Sequence, residues 1–262
     1  MKGICGFCGV YGEQSKEHYI AQRFRNLFPI KIVDSYGQRL TVYNPATHAY
    51  DPVLERPSRS PWGLTVRVGQ YCCNGAWMAR LDDVVAPFLN GALTTEPRHV
   101  SPSLLSALAG WTAKVAALHD LSTGRPTAMT PDDRRHIKRH GRPPLSSTVW
   151  LTAAEWNPNI LPSIDQTTFW WPVGGKRPAR TEPDSFSATI YFAHVVIHAF
   201  GTAMPKLLNP RGEVGERLIR IWPSPPAAGL TWPGAAPLTY TEAGALARSV
   251  EAHFTGRVAP IH

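Results

Sequence analysis

All four cysteines of this 262-residue chain lie within its first 73 residues, and this clustering limits the possible folds more than any other feature. Cys5 and Cys8 form a C-x2-C turn with a glycine after each cysteine, and Cys72 and Cys73 form an adjacent pair. Disulfides suit a short secreted chain and would be spread along it, whereas thiols paired in one region are typical of a tetrahedral zinc site. The sequence therefore predicts a zinc knuckle.

Two observations leave other interpretations of the knuckle open. Adjacent cysteines do not necessarily place both sulfurs on one ion, and Gln70 stands where a second C-x2-C ending at Cys73 would begin. The alternatives are four reduced thiols that pack as small apolar side chains, or the scaffold of a zinc site that has been lost.

The composition is that of a globular, basic protein. Apolar residues make up 43% and charged residues 18% of the chain, which is enough for a packed core, and the formal net charge is +8. A positive balance favours polyanionic partners such as nucleic acid. The first residues carry no signal-peptide pattern, and no apolar run is long enough to cross a membrane. We therefore expect a cytoplasmic protein.

Apolar periodicity predicts an α+β fold in two parts, a domain over residues 1–95 and an accessory domain over 96–262. Helices are predicted at 21–28, 71–89, 101–121, 131–140 and 241–254, the last capped by Thr241, and strands at 31–33, 39–43, 64–68, 147–152, 167–171, 188–199 and 218–222. Asn74 stands at the start of the 71–89 helix, where a capping side chain is favoured.

Glu17 and His18 closely follow the first cysteine pair and place a carboxylate beside an imidazole. Phosphodiester hydrolysis needs a base to take a proton from water and a divalent cation to neutralise charge on the phosphate. Neutral imidazole suits the first task, and carboxylate and amide oxygens suit Mg²⁺. Because Glu-His is a common dipeptide, the interpretation depends on its neighbours.

Together these segments resemble the HNH endonuclease family. The shared motifs are C-x2-C, then Lys-Glu-His-Tyr-Ile, then Cys-Asn-Gly-Ala-Trp-Met-Ala-Arg-Leu-Asp, with weaker similarity in Trp-Thr-Ala-Lys at 111–114 and at Gly141–Pro144, Val149–Leu151 and Ile221–Pro223. The resemblance implies a zinc-supported ββα-metal domain at residues 1–95 in which Cys5, Cys8 and Cys73 hold structural zinc. It also implies catalysis with Mg²⁺ or Mn²⁺, with His18 as the general base and Glu17 and Asn74 as ligands of that cation.

The chain departs from the family pattern at four places. Ala21 replaces a proline, Gln70 replaces a knuckle cysteine, Asn-Gly-Ala-Trp at 74–77 replaces Asn-Asn-Gly-Trp, and only His48 and Asn44 are candidates for the middle polar residue. The sequence therefore also allows a catalytically inactive, zinc-stabilised module that binds nucleic acid or protein, or a phage or defence effector.

Basic residues near these motifs are candidate phosphate contacts, and a solvated surface is the alternative for each. They are Arg23, Arg25, Arg135, Lys138 and Arg139, and double-stranded DNA is the expected partner, with a protein partner or a homodimer left open. His136 and His140, and His194 and His198, have i,i+4 spacing without an evident third ligand. Trp170 and Trp222 could stack bases, although packing at strand ends is the simpler interpretation.

Overall fold

The structure is a computed structural model that describes residues 1–29, 36–44, 49–58, 60–122, 128–155, 157, 161–169, 185–202, 212–234 and 236–246. Its twelve strands are β1 (Lys2–Ile4), β2 (Tyr11–His18), β3 (Tyr36–Asn44), β4 (Ala49–Ser58), β5 (Thr65–Gly69), β6 (Arg98–Val100), β7 (Ser147–Ala153), β8 (Ser163–Phe169), β9 (Ser185–Phe192), β10 (Val195–Thr202), β11 (Ile219–Trp222) and β12 (Leu230–Trp232). Its four α-helices are α1 (Ala79–Asn90), α2 (Pro102–Ser122), α3 (Pro131–His140) and α4 (Gly212–Glu216).

The strands form three sheets, which confirms the mixed α+β class. A three-stranded antiparallel sheet has the order β1-β2-β5, and a two-stranded sheet joins β12 to β6. A seven-stranded sheet has the order β11-β7-β10-β9-β8-β3-β4, with β3 parallel to β8 and the other pairs antiparallel. β3 and β4 belong to the first 95 residues, so this sheet contains strands from both predicted domains. The division at residue 95 itself stays a prediction.

Helix α2 occupies the centre of the molecule. It contacts β5 on one side and β7, β8, β10 and β11 of the large sheet on the other. A helix covered on both sides needs apolar residues all round rather than along one stripe. Residues 108–120 are accordingly buried throughout, and α2 carries the core residues Leu105, Leu108, Trp111, Val115 and Leu118.

Several predicted elements appear close to their expected bounds. The basic helix 131–140 coincides with α3, which has a capping box between Thr130 and Asp133 and ends at Gly141 in the left-handed conformation. The 101–121, 64–68, 147–152 and 218–222 predictions correspond to α2, β5, β7 and β11, and the 39–43 strand lies within β3. The 31–33 strand, Trp170 and most of the 241–254 helix lie outside the described residues.

Other predictions need correction. The 188–199 segment is two strands, because Ala193, with φ 53°, and His194 form a tight turn between β9 and β10. The 21–28 helix is a 3₁₀-helix over Gln22–Leu27. The last helix is capped by Thr239 rather than Thr241: the Thr239 hydroxyl accepts a hydrogen bond from the Glu242 amide at 3.2 Å, and the Glu242 carboxylate accepts one from the Thr239 amide at 2.7 Å.

The predicted 71–89 helix is not continuous. A π-helical segment covers Gln70–Met78, the backbone leaves helical geometry at Ala76, and α1 begins at Ala79. The paired cysteines of the site below lie in this π-helical segment, before the break. Within the described residues, no helix combines the length and apolar character that crossing a bilayer requires.

Candidate functional site

The turn after β1 carries the first two cysteines. The amide of Gly9 donates to the carbonyl of Cys5 at 2.8 Å, and the amide of Cys5 donates to the carbonyl of Val10 at 2.9 Å. Gly9 has φ 77°, a left-handed conformation that glycine adopts without steric cost. Cys5 and Cys8 lie on one side of this tight turn, and both of their thiols are buried.

The paired cysteines meet this turn from the π-helical segment. The ligand atoms of Cys5, Cys8, Cys72 and Cys73 all lie within 4.8 Å of one another, and the four sulfurs are free thiols. The sulfurs of Cys5 and Cys73 are 3.7 Å apart, and those of Cys8 and Cys72 are 3.4 Å apart. A tetrahedral ion with bonds of about 2.3 Å to sulfur spaces its ligands by about 3.8 Å, so these four residues lie close enough to hold one metal ion.

Cys72 answers the question raised by the missing knuckle cysteine at Gln70. The resemblance implied three cysteine ligands, whereas the paired thiols on their own also allowed Cys72, and the structure places Cys72 close enough to be a fourth ligand. Adjacent residues diverge by roughly 100° on a regular helix, yet both sulfurs of this pair reach the same cluster from the π-helical segment. Gly69 leaves room for this arrangement, because a Cβ at that position would lie 2.3 Å from the sulfur of Cys72.

Electrostatics within the cluster favour one thiolate before any metal binds. The hydrogen bond between the Cys5 and Cys73 sulfurs lowers the pKa of Cys5 to about 4 and raises the pKa of Cys73. Burial raises the pKa of Cys72 to about 11. A cation is the group that stabilises all four sulfurs as thiolates at once.

Glu17 faces the interior from β2 and is 7% exposed. Its Oε1 accepts a hydrogen bond from the Lys114 ammonium at 3.2 Å, and Lys114 also donates to both carboxylate oxygens of Asp82, at 2.7 and 2.9 Å. The Trp111 indole N–H donates to Asp82 at 2.9 Å. Burial raises the pKa of Glu17, and the Lys114 charge opposes that rise. We call Glu17, Asp82 and Lys114 the buried ion triad.

His18 ends β2 and faces away from Glu17, because consecutive strand residues point to opposite faces. Its Nδ1 is buried and has no hydrogen-bond partner among the residues that the structure describes. Burial lowers the pKa of His18, a hydrogen bond with the backbone of Trp62 opposes that change, and the positive charge of Lys16 lowers the pKa further. The imidazole is therefore neutral near pH 7, which is the form a general base requires.

Asn74 joins the π-helical segment to β2. Its side-chain amide donates to the Ser15 hydroxyl at 2.8 Å and to the Lys16 carbonyl at 2.9 Å. The predicted role as a helix cap is wrong, since these bonds go to the strand. The structure thus brings Asn74 to within two residues of His18 along β2, but it places the Glu17 carboxylate and the His18 imidazole on opposite faces of that strand.

No protein-family model, curated protein or solved structure matches this chain. The residues themselves therefore have to support any function.

The residues predicted to contact phosphate differ in whether they already have a side-chain partner. Arg23 is bonded to Asp83 and Arg135 to Asp132, so each has an acidic partner. The side chain of Lys138 is hydrogen-bonded to Cys8, which places α3 beside the cysteine cluster. Arg25 and Arg139 are exposed. The simpler interpretation of Trp222 is confirmed, because its indole N–H donates to the Pro144 carbonyl at 3.0 Å in a buried position.

The sequence did not predict that the three residues of the buried ion triad contact one another. Asp82 is ion-paired and only 3% exposed, and nothing in the sequence indicated its burial, while Lys114 appeared only as part of a weak motif. The signal that could have found Lys114 is a single lysine in the middle of a helix that is otherwise apolar on all sides. His198 is also fully buried, with its Nδ1 2.8 Å from the Thr189 hydroxyl, whereas His194 lies in the adjoining turn.

Proposed function

We propose that this chain is an HNH-type endonuclease that hydrolyses phosphodiester bonds of DNA, supported by a structural Zn²⁺ ion on Cys5, Cys8, Cys72 and Cys73. Zinc suits the cluster because four sulfur ligands with tetrahedral spacing are the commonest structural zinc site. The ion would tie the turn after β1 to the segment that leads into α1, and both flank β2.

The observation that carries the proposal is the setting of His18. The neutral imidazole of His18 stands at the end of β2. This strand is held by the hydrogen bond from Asn74 to the Lys16 carbonyl and by the bond between Glu17 and Lys114 in the buried ion triad. General-base catalysis needs a base that is held in a fixed position and whose pKa is near the operating pH. His18 would accept the proton of a water molecule as that water attacks phosphorus.

The Mg²⁺ or Mn²⁺ ion implied by the resemblance fits the present residues only in part. Such an ion, when bound, neutralises charge on the phosphate and on the leaving oxygen. Asn74 donates through its nitrogen and keeps its amide oxygen for a cation, but the Glu17 carboxylate is buried and bonded to Lys114. Glu17 therefore does not fit as a cation ligand in this arrangement, and no step is assigned to the cation.

The test is nicking of supercoiled plasmid, with and without added Mg²⁺ or Mn²⁺, by wild type and His18→Ala. We expect the variant to lose activity by about 10²- to 10⁴-fold, the usual contribution of a general base. His140→Ala is the matched control, because His140 is an exposed imidazole on α3. Equal cleavage by wild type and His18→Ala would remove His18 from the mechanism.

A second candidate is a zinc-stabilised module that binds nucleic acid or a protein and does not cleave. The specific observation in its favour is the buried ion triad, in which the Lys114 ammonium already compensates the carboxylate that a catalytic cation would need. This candidate predicts bound zinc, salt-sensitive binding and no cleavage with any divalent ion.

A further inference from the structure

The outer face of the β2–β5 pair, turned away from α2, presents two cations directly opposite each other. Lys16 pairs with Arg67 in the antiparallel register, and the next pair on the same face is His18 with Thr65. The inner face carries Glu17 opposite Val66 and Ser15 opposite Val68. We call Lys16, His18 and Arg67 the outer cationic face.

The placement of these charges is unfavourable for the free protein. Side chains directly opposite on antiparallel strands have Cβ atoms about 4.5–5.5 Å apart, and like charges at that separation repel. Lys16 and Arg67 are both exposed, and within the described part of the chain neither forms an ion pair with an acidic side chain. On this face the paired positions 14, 16, 18, 65, 67 and 69 contain no carboxylate. The face is therefore suited to an anion that bridges both cations.

The rest of the site holds this face in position. The carbonyl of Lys16 accepts a hydrogen bond from the Asn74 amide. Arg67 lies two residues before Gly69, where an added Cβ would lie 2.3 Å from the sulfur of Cys72. Lys16 and His18 lie two residues apart on the same face of β2. An anion held by Lys16 and Arg67 would thus lie next to the proposed base.

We infer that the outer cationic face is the phosphate-contact surface for nucleic acid, with Lys16 and Arg67 on backbone phosphates that flank the one presented to His18. This inference deepens the proposed function, because it names the contacts of the same site. It also selects between surfaces: Arg135 on α3 is already paired with Asp132, and Lys138 is bonded to Cys8, so α3 offers fewer free cations.

The experiment measures binding of short duplex DNA over a range of salt concentrations without added divalent ion. Every protein carries His18→Ala, so that the result does not depend on cleavage. Lys16→Gln with Arg67→Gln is compared with Arg135→Gln with Arg139→Gln, which removes the same number of charges from α3. Both proteins are first shown to retain zinc and the thermal midpoint of the parent, and Lys16→Arg with Arg67→Lys serves as the charge-conserving rescue.

We expect the β2–β5 double variant to bind about tenfold or more weakly at low salt. Its plot of log binding constant against log salt concentration should flatten by about 1.8, since each phosphate contact on duplex DNA contributes about 0.9. The α3 double variant and the charge-conserving variant should stay close to the parent. Parallel arms with single-stranded DNA and duplex RNA identify which nucleic acid is preferred.

Four results would overturn the inference. They are an unchanged slope in the β2–β5 variant, an equal loss in both double variants, a loss confined to the α3 variant, and absence of nucleic-acid binding by the parent in all three arms. Failure of the nuclease proposal is a separate outcome, because an inactive parent that binds DNA through Lys16 and Arg67 still gives the expected slopes.

Discussion

The region around β2 and the large sheet both bury polar groups, but they do so in opposite ways. Around β2 the buried groups are charged or readily become charged: three buried thiols of the cysteine cluster, with Cys72 half-buried beside them, two carboxylates and a fully buried ammonium. In the large sheet they are neutral, with His198 beside Thr189 and further serine and threonine side chains on β7 and β9. A buried charge needs a partner of opposite sign, whereas a buried neutral group needs only a hydrogen bond.

The comparison teaches where each region is vulnerable. The β2 region should lose stability when a cation is removed, whether that cation is a metal ion or an ammonium group. The large sheet should respond to pH, because acidification charges groups that it buries in neutral form. The predictions below test this difference, beginning with the largest expected effect.

Removing the metal should have the largest effect. Structural zinc on cysteine ligands contributes binding free energies of about 10–16 kcal/mol, and that energy is available only to the folded state. We expect one Zn²⁺ per chain, and a strong chelator should abolish hydrogen-exchange protection in 1–18 and 65–78 while β7, β9 and β10 keep theirs. A metal-free protein with unchanged protection on chelation would contradict this view of the β2 region.

The same measurement distinguishes four cysteine ligands from three. Cys72→Ser should lose zinc about as completely as Cys73→Ser, because both sulfurs lie within the 4.8 Å cluster. Under the three-cysteine pattern implied by the family resemblance, Cys72→Ser would keep its zinc. Zinc content by elemental analysis of the two purified variants decides between these possibilities.

Removing the internal cation should have the next largest effect. Lys114→Met leaves the carboxylates of Glu17 and Asp82 buried without compensation, and breaking a buried pair costs about 3–5 kcal/mol of unfolding free energy. The variant Glu17→Gln, Asp82→Asn, Lys114→Met should recover most of that loss, since an amide at position 82 still accepts from Trp111. Chemical denaturation measures both, and an equally unstable triple variant would show that the loss comes from packing rather than charge.

These two centres also show what the sequence could and could not predict. The C-x2-C turn is local, so the first half of the metal site was readable, and α2 and α3 followed from apolar periodicity and capping residues. The partner of Glu17 lies 97 residues away in a different helix, and no local pattern specifies such a contact. The direction of Cys72 depends on the π-helical segment, which has no sequence signature comparable to that of an α-helix.

The large sheet was predicted less completely for a related reason. Its strands read as apolar runs because residues on both faces of β7 and β9 are buried, so alternation could not mark where one strand ended. The turn between β9 and β10 uses Ala193 and His194, and neither residue type signals a turn. Parallel pairing of β3 with β8 joins segments more than a hundred residues apart, which periodicity does not report.

Gly69→Ala sharpens the comparison without removing any charge. The added Cβ would lie 2.3 Å from the sulfur of Cys72 and 3.3 Å from the Cβ of Cys5, so the cluster must shift. Overpacking of this kind costs about 1–3 kcal/mol, and zinc affinity should fall with it. Gly12→Ala on the neighbouring strand is the control, because its added Cβ meets nothing within 4 Å. Equal zinc affinity in the two variants would show that the cluster does not depend on Gly69.

The smallest expected effect lies in the large sheet. Burial lowers the pKa of His198 to about 3 from an unfolded value of 6.5, so below that unfolded value the unfolded chain binds a proton that the folded chain does not. Burial of His198 therefore costs nothing in ionisation above pH 6.5, and below that value the free energy of unfolding falls with the pH, with a slope of about 1.4 kcal/mol per pH unit. His119, with its pKa lowered to about 4, adds to this slope, and Asp120, with its pKa raised to about 7, opposes it.

The difference between wild type and His198→Gln isolates the contribution of His198 from those of His119 and Asp120, which titrate in the same range. Unfolding free energies between pH 4 and 6 should fall less steeply in the variant by up to about 1.4 kcal/mol per pH unit, whatever packing energy it has lost at neutral pH. His140→Gln, which removes an exposed imidazole from α3, is the matched control. Parallel plots of unfolding free energy against pH for wild type and His198→Gln would mean that His198 is not buried in neutral form. The proposed difference between the two regions would then not hold for the large sheet.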